Sequence, residues 1–180
     1  MADFNHIYGA GMRNGYIRTS DGTKYDIDAV INIEGDPSQN DTDIKGDDTI
    51  KATFSDSRKE DLTISANGIS MDVLQAITGN SVSSSAGGSQ IAVGTQSELN
   101  PPFVEVGAEV NARTDQGTSV FIRKVWHKVQ LGKTKITAGN GNELAVEITG
   151  SATQTSVDIQ GVALTTTRVA TLFVLSGQAA

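Results

Sequence analysis

The run KYDIDAVINIEGDPSQNDTDIKGDDTIKATFSD, Lys24 to Asp56, decides the fold. Before its middle, Tyr25, Ile27, Ala29, Ile31 and Ile33 alternate with mostly polar neighbours. After it, Ile50, Ala52 and Phe54 alternate with Lys51, Thr53 and Ser55. A period of two marks a strand with one buried face. Between the two patterns lies EGDPSQNDTDIKGDD, which predicts a long acidic loop over residues 34–48. Long loops inside compact domains are uncommon and tend to be either disordered or functional; with nothing catalytic elsewhere in the chain, this one points towards an assembly role.

The chain of 180 residues suits a single domain, 1–180. A domain this size buries roughly 70% of its unfolded surface, enough for a core without staples. It has no cysteine, so disulfides and thiolate metal sites are excluded, in keeping with an intracellular origin. The start, MADFNHIYGAGMRNG, lacks a charged segment followed by an apolar run and predicts no signal peptide. No stretch is long and apolar enough to span a bilayer. The net charge is -7, which argues against a dedicated nucleic-acid binder. Charge is uneven: residues 1–62 hold 13 acidic and 7 basic side chains. Residues 113–135 hold 6 basic ones against Asp115 alone. Either these are two solvated faces, or they are complementary poles that attract another copy.

Along the chain, residues 1–10 read as an N-terminal arm or first short strand. Strands follow over Met12–Thr19 and Lys24–Glu34, turned by Ser20-Asp21-Gly22. Beyond the acidic loop, strands Thr49–Asp56 and Asp61–Ala66 flank a tight connection at Ser57–Glu60. One helix is predicted over Met71–Thr78, with Ser70 as N-cap, Asp72 in the first turn and Gly79 as terminator. Residues 80–100 form a Ser/Gly-rich connection with a short strand at Gln90–Gly94. Val104, Val106, Ala108, Val110 and Ala112 make a one-sided strand. Thr118–Leu131 is apolar on both faces, with Val120, Ile122 and Trp126 on one and Phe121, Val125, Val129 and Leu131 on the other. Leu144–Ile148, Val157–Ile159 and the nearly all-apolar Val169–Leu175 complete the strands. The fold class is mainly β: a β-sandwich or barrel of about eight strands with one short flanking helix.

No constellation for catalysis stands out. Asp41-Thr-Asp43-Ile-Lys45-Gly46 has the look of half a calcium loop, but Lys45 sits where an oxygen ligand belongs and the twelfth position is Ala52. His6 and His127 are too far apart in sequence to suggest a metal pair. No nucleophile elbow, phosphate loop or dinucleotide fingerprint is present. Asn40-Asp41-Thr42 is a sequon that means little without a secretion signal. Glu105 and Glu109 share one strand face about 13 Å apart, too far for a glycosidase pair. They read as an acidic stripe on an open surface. Trp126, the lone tryptophan, reads as a core or interface anchor. The chain is thus expected to be non-enzymatic and to need no cofactor or metal.

The order of parts resembles the major tail tube proteins of long-tailed (siphovirus-type) bacteriophages. The resemblance runs through the acidic loop with Lys45-Gly46-Asp47-Asp48, the following hairpin, and ISANGISMDVLQAITGN, Ile64–Asn80. PPFVEVGAEVNA from Pro101 and VFIRKVWHKVQLGK from Val120 look like that family's second pair of long strands. The likeness spans about residues 10–165 and extends to type VI secretion tube proteins. It implies a β-sandwich whose inner sheets join into a hexameric barrel, with rings stacked into a hollow tail tube that DNA transits without specific binding. Implied partners are the chain itself, a tape measure and a tail terminator, with no membrane; the implied location is the virion, after synthesis in the host cytoplasm. On this reading Asp36, Asp41, Asp43, Lys45, Asp47 and Asp48 contact an adjacent ring. Arg113, Arg123, Lys124 and Lys128 form the basic counterpart, and Asp26, Asp28, Glu105 and Glu109 face the lumen. The alternatives are a monomeric β-sandwich that binds a carbohydrate or protein, and a secretion-system tube subunit. Low aromatic content, 5%, weighs against the binding module.

Overall fold

The structure, a computed structural model, describes residues 7–27, 29–46, 49–85, 87–92, 99–137 and 145–176. For residues 7, 8, 10, 13, 40–46, 49–56, 85 and 176 it describes the backbone alone. The elements in order are β1 (Ile7–Arg18), β2 (Lys24–Ile27), β3 (Val30–Gly46), β4 (Thr49–Ala66), α1 (Met71–Thr78), β5 (Val82–Ser85) and β6 (Gly88–Ile91). They continue with β7 (Phe103–Thr114), β8 (Ser119–Thr137), β9 (Ala145–Thr153), β10 (Thr155–Val157), β11 (Ala163–Arg168) and β12 (Ala170–Ser176). The chain is mainly β, with a large antiparallel sheet of order β2-β1-β7-β8-β9-β4-β3 and β12 attached to β8. β5-β6 and β10-β11 are separate hairpins.

The sheet curls so that β1, next to one end, packs against β3 at the other. Gly15 of β1 lies against Val30 and Ile33 of β3. Ile17, Ile33, Leu62, Ile64, Val104, Val106, Trp126, Val129, Leu131 and Ile148 fill the space inside. This is the enclosed, two-layered core expected of a β-sandwich. α1 closes one end and adds Val73, Leu74 and Ile77 to that core. Its ends are as the sequence predicts: Ser70 Oγ accepts from the Val73 amide, and Gly79 takes the left-handed conformation at φ 72°.

Three strand predictions are corrected. First, the acidic segment is not a loop over its described residues, 34–46; Asp47 and Asp48 lie outside them. Residues 30–46 form β3, which pairs with β4 from Val30↔Ala66 to Gly46↔Thr49. Residues 49–66 likewise form one strand, with no turn at Ser57–Glu60. Inter-strand hydrogen bonds satisfy the backbone there whatever the side-chain propensity. Second, the run Lys24–Glu34 is broken. Ala29 has φ 52°, unusual for a residue with a Cβ, and the chain leaves β1 there to begin β3. A bulge follows: Val30 pairs with Ala66 and Asn32 with Ser65, so Ile31 has no partner and is exposed. Third, Trp126, Val129 and Leu131 share one core, although simple alternation separates them. Val104 pairs with Val129 and Val106 with Trp126, so β8 holds an extra residue at His127–Lys128 and its faces swap. The bulge falls where β8 changes its second neighbour, from β12 at Val120–Trp126 to β9 at Val129–Thr137.

The Ser/Gly-rich connection 80–100 contains the β5-β6 hairpin; β6 at Gly88–Ile91 begins before the predicted strand Gln90–Gly94 and shares Gln90 and Ile91 with it, while 93 and 94 lie outside the described residues. Residues 93–98 lie outside the described residues, as do 1–6 of the N-terminal arm; the rest of that arm belongs to β1.

Candidate functional site

Opposite the core, β1, β7, β8 and β12 present a face built from charged and aromatic side chains. Because Ile17, Val104, Val106 and Trp126 point inward, Tyr16, Arg18, Glu105, Glu109 and Arg123 stand on the other side. Gly107 lies between the two glutamates, and the Tyr16 ring occupies the space that a Cβ there would fill. Tyr16 is buried by this contact, with the Arg18 guanidinium 5.7 Å and the Lys24 ammonium 4.9 Å from its ring centre. Burial raises the Tyr16 phenol above its ordinary value of 10.0, and the Glu105 carboxylate adds to the rise.

The glutamates are not an open acidic stripe. Glu105 is 4% exposed and Glu109 is 6% exposed. Arg18 pairs with Glu105 at 3.1 Å. Arg123 donates to Glu109 from Nε at 2.6 Å and pairs with it through its second nitrogen, while Asn14 donates at 3.2 Å. His127 sits with Nδ1 3.6 Å from Glu105, too far for a hydrogen bond, and Nε2 2.7 Å from the Thr171 hydroxyl. The expected open acidic stripe is therefore corrected, since neighbouring strands cover both carboxylates and pair them with Arg18 and Arg123, and the expected lumen-facing role of Glu105 and Glu109 loses this support. Of their proposed companions, Asp26 is exposed and paired with Lys24 at 3.1 Å. Asp28 lies outside the described residues.

The basic counterpart does not form one patch either. Arg123 is committed to Glu109. Lys124 donates to Glu60 at 2.7 Å and lies 4.6 Å from the Trp126 ring centre. Lys128 covers Phe103 at 4.5 Å. Arg113 is exposed near the end of β7. Alternation along β8, with its bulge, sends these cations to different surroundings.

On the acidic side, Asp36 is exposed on β3 opposite Asp61, whose charge Lys59 meets at 3.7 Å. Asp41, Asp43 and Lys45 lie on β3, but their side chains are outside the described residues, as are Asp47 and Asp48 altogether. The backbone is informative. β4 pairs with β9 only over Lys59–Ala66, so among the described residues the part Thr49–Arg58 has β3 as its sole partner. The outer half of β3-β4 is thus a two-stranded arm leaving the body of the sheet. At its root, Glu60 accepts from Trp126 Nε1 at 2.5 Å and from Lys124, and Gly35 leaves room for both Glu60 and the indole.

The sheet also has open edges. Among the described residues β2 pairs only with β1, β3 only with β4, and β12 only with β8. β12 exposes Leu172 (63%), Phe173 (42%) and Val174 (41%), consecutive residues that point to alternate faces. Among the described residues no group of His, Asp or Glu is placed to hold a metal. No protein-family model matches the chain, and no curated protein matches it.

Alternation along β7 correctly places Glu105 and Glu109 opposite the core. Their partners Tyr16 and Arg18 come from a strand far away in sequence and leave no local signal. Nor does the sequence mark the root of the arm, where Gly35, Glu60 and Trp126 meet.

Proposed function

We propose that this chain is a structural subunit that assembles with copies of itself through its sheet edges, in the manner of a phage tail tube protein. The observation that carries the reading is β12, an edge strand with apolar residues exposed on both faces. Such an edge is a template for pairing with another chain, and in a monomer it invites uncontrolled aggregation. Ordered pairing of β12 with another copy removes the hazard. The arm supports the same reading, because a two-stranded ribbon is marginal in water and gains stability from a partner surface. With open edges at both ends of the sheet, copies join head to tail, and such contacts close into a ring when the rotation permits. The hexameric ring, the stacked tube and the passage of DNA come from the family resemblance and belong to the proposal.

The lumen is not assigned to Glu105 and Glu109. What repels DNA on this reading is the overall negative charge of the chain, repeated in every copy. A negative-stain micrograph of concentrated protein tests the proposal. Rings or tubes of uniform diameter are expected; a field of single small particles at every concentration overturns it.

A further inference from the structure

At the root of the arm lies a cleft of about 770 Å³. It is formed where β3 and β4 leave the sheet and the chain turns from β11 into β12, and its walls include Ser38, Arg58, Lys59, Glu60 and Arg168. We propose that this cleft binds carboxylates and that its occupant is an acidic segment of a second copy of the chain. The proposal rests on the assembly reading above and names the surface through which one copy holds the next.

Three cations line the cleft and one acid does; the acid, Glu60, is already neutralised by Lys124 at 2.7 Å, and of the cations Lys59 already meets Asp61 at 3.7 Å. Among the described residues neither Arg58 nor Arg168 has a carboxylate partner. Arg168 is held in place by its own turn: Nε donates to the Thr166 carbonyl, one terminal nitrogen to the Thr171 hydroxyl and the other to the Thr165 hydroxyl. A guanidinium has five N–H donors, so two remain for a ligand on a group whose orientation is fixed. Ser38 Oγ is shielded from solvent and, among the described residues, has no hydrogen-bond partner. A buried hydroxyl of this kind accounts for itself once an acceptor arrives. Fixed guanidinium donors and a hydroxyl suit a carboxylate, which accepts such bonds in pairs.

Charge selects the occupant. Arg58 and Arg168 are local cations on a chain of net charge -7, so every copy carries carboxylates to complement them. The densest carboxylates available to it are its own: Glu34, Asp36, Asp41, Asp43, Asp47 and Asp48 against Lys45. Beyond the cleft, β3 continues outward through Asp41 and Asp43, and from Gln39 to Gly46 the strand advances about 23 Å at its usual rise. The outer part of the arm is thus presented away from its own root, toward the cleft of a different copy. A contact between the arm of one copy and the root of the next is heterologous and propagates.

The test is sedimentation velocity of the full-length protein over a concentration series, for wild type, Arg58→Glu, Arg168→Gln and Asp41→Lys/Asp43→Lys. Arg58 is exposed, so its replacement leaves the fold intact, as circular dichroism will verify, even if Arg168→Gln loosens the turn into β12. Arg58→Glu is expected to raise the concentration for half-assembly roughly tenfold or more. The arm variant is expected to do the same, and combining it with Arg58→Glu to recover part of the loss. If folded Arg58→Glu and Arg168→Gln assemble at the wild-type concentration, the cleft proposal is overturned while the assembly reading stands. If wild type never assembles, both fall. A citrate titration by calorimetry separates the remaining source. Citrate binding that Arg58→Glu abolishes, with assembly unchanged, assigns the cleft to free anions and overturns the second copy as occupant.

Discussion

Tyr16 lies across Gly107 with Glu105 and Glu109 on either side, and this contact sets the character of the outer face. Replacing Gly107 by Ala puts a methyl group where the ring now rests. Tyr16 then lifts away, and Glu105 and Glu109 gain water on one side. Overpacking at a buried site costs about 3 kcal/mol at the upper end of its usual range, and urea denaturation of Gly107→Ala is expected to show a loss of that order. A second prediction follows from the raised phenol of Tyr16. Between its unfolded value of 10.0 and its higher folded value, the folded state keeps a proton that the unfolded state has lost. Stability from this group is therefore complete below pH 10 and falls as pH rises through the folded value. Thermal melts from pH 8 to above pH 11 are expected to show a shallower alkaline decline for Tyr16→Phe than for wild type. Equal declines contradict the assignment. None of this geometry was legible in sequence beyond the side of β7 on which the glutamates stand. The ring that covers them comes from β1, nearly a hundred residues earlier, and pairs with β7 through a register that local alternation does not encode.

At the scale of elements, the arm decides most. Its residues are polar, and Gly35, Pro37 and Gly46 punctuate them, which is the composition of a loop. Their partners across β4 carry the alternation Ile50, Ala52, Phe54, and pairing extends that order onto β3. α1 was legible because its capping signals are local: one hydroxyl, one acid and one glycine at fixed offsets. The bulge at His127–Lys128 was not, because an extra residue in β8 is visible only against its partner β7. The arm gives the third prediction. Replacing Asn40–Ser57, which pair with each other, by a two-residue Asn-Gly turn keeps Gln39 opposite Arg58 and shortens the ribbon to its root. Every core residue described lies outside the deleted segment, so the melting temperature is expected to change by only a few degrees. Assembly is expected to be lost. Normal assembly of this variant shows that the arm is not a contact.

For the whole molecule, the curled sheet encloses a buried core and, among the described residues, leaves β2, β3 and β12 each with a single neighbour. That imbalance is the physical basis of the assembly account, and β12 is its sharpest expression. Predicting β12 as an apolar strand was straightforward from Val169–Leu175. Its exposure was not, because it depends on β8 passing to β9 at the bulge and leaving β12, among the described residues, without a second neighbour. Placing a charge on this edge, as in Leu172→Lys, is expected to block association and leave the fold intact, since the side chain is already largely in solvent. The central claim is that one chain is not the complete structure. Light-scattering mass of the full-length protein, followed from low to high concentration at low and moderate salt, tests it most directly. The account predicts a mass that rises in a concentration-dependent way to a defined multiple of 18.9 kDa and beyond, and that falls back for Leu172→Lys. A wild-type mass of 18.9 kDa at every concentration and salt contradicts it.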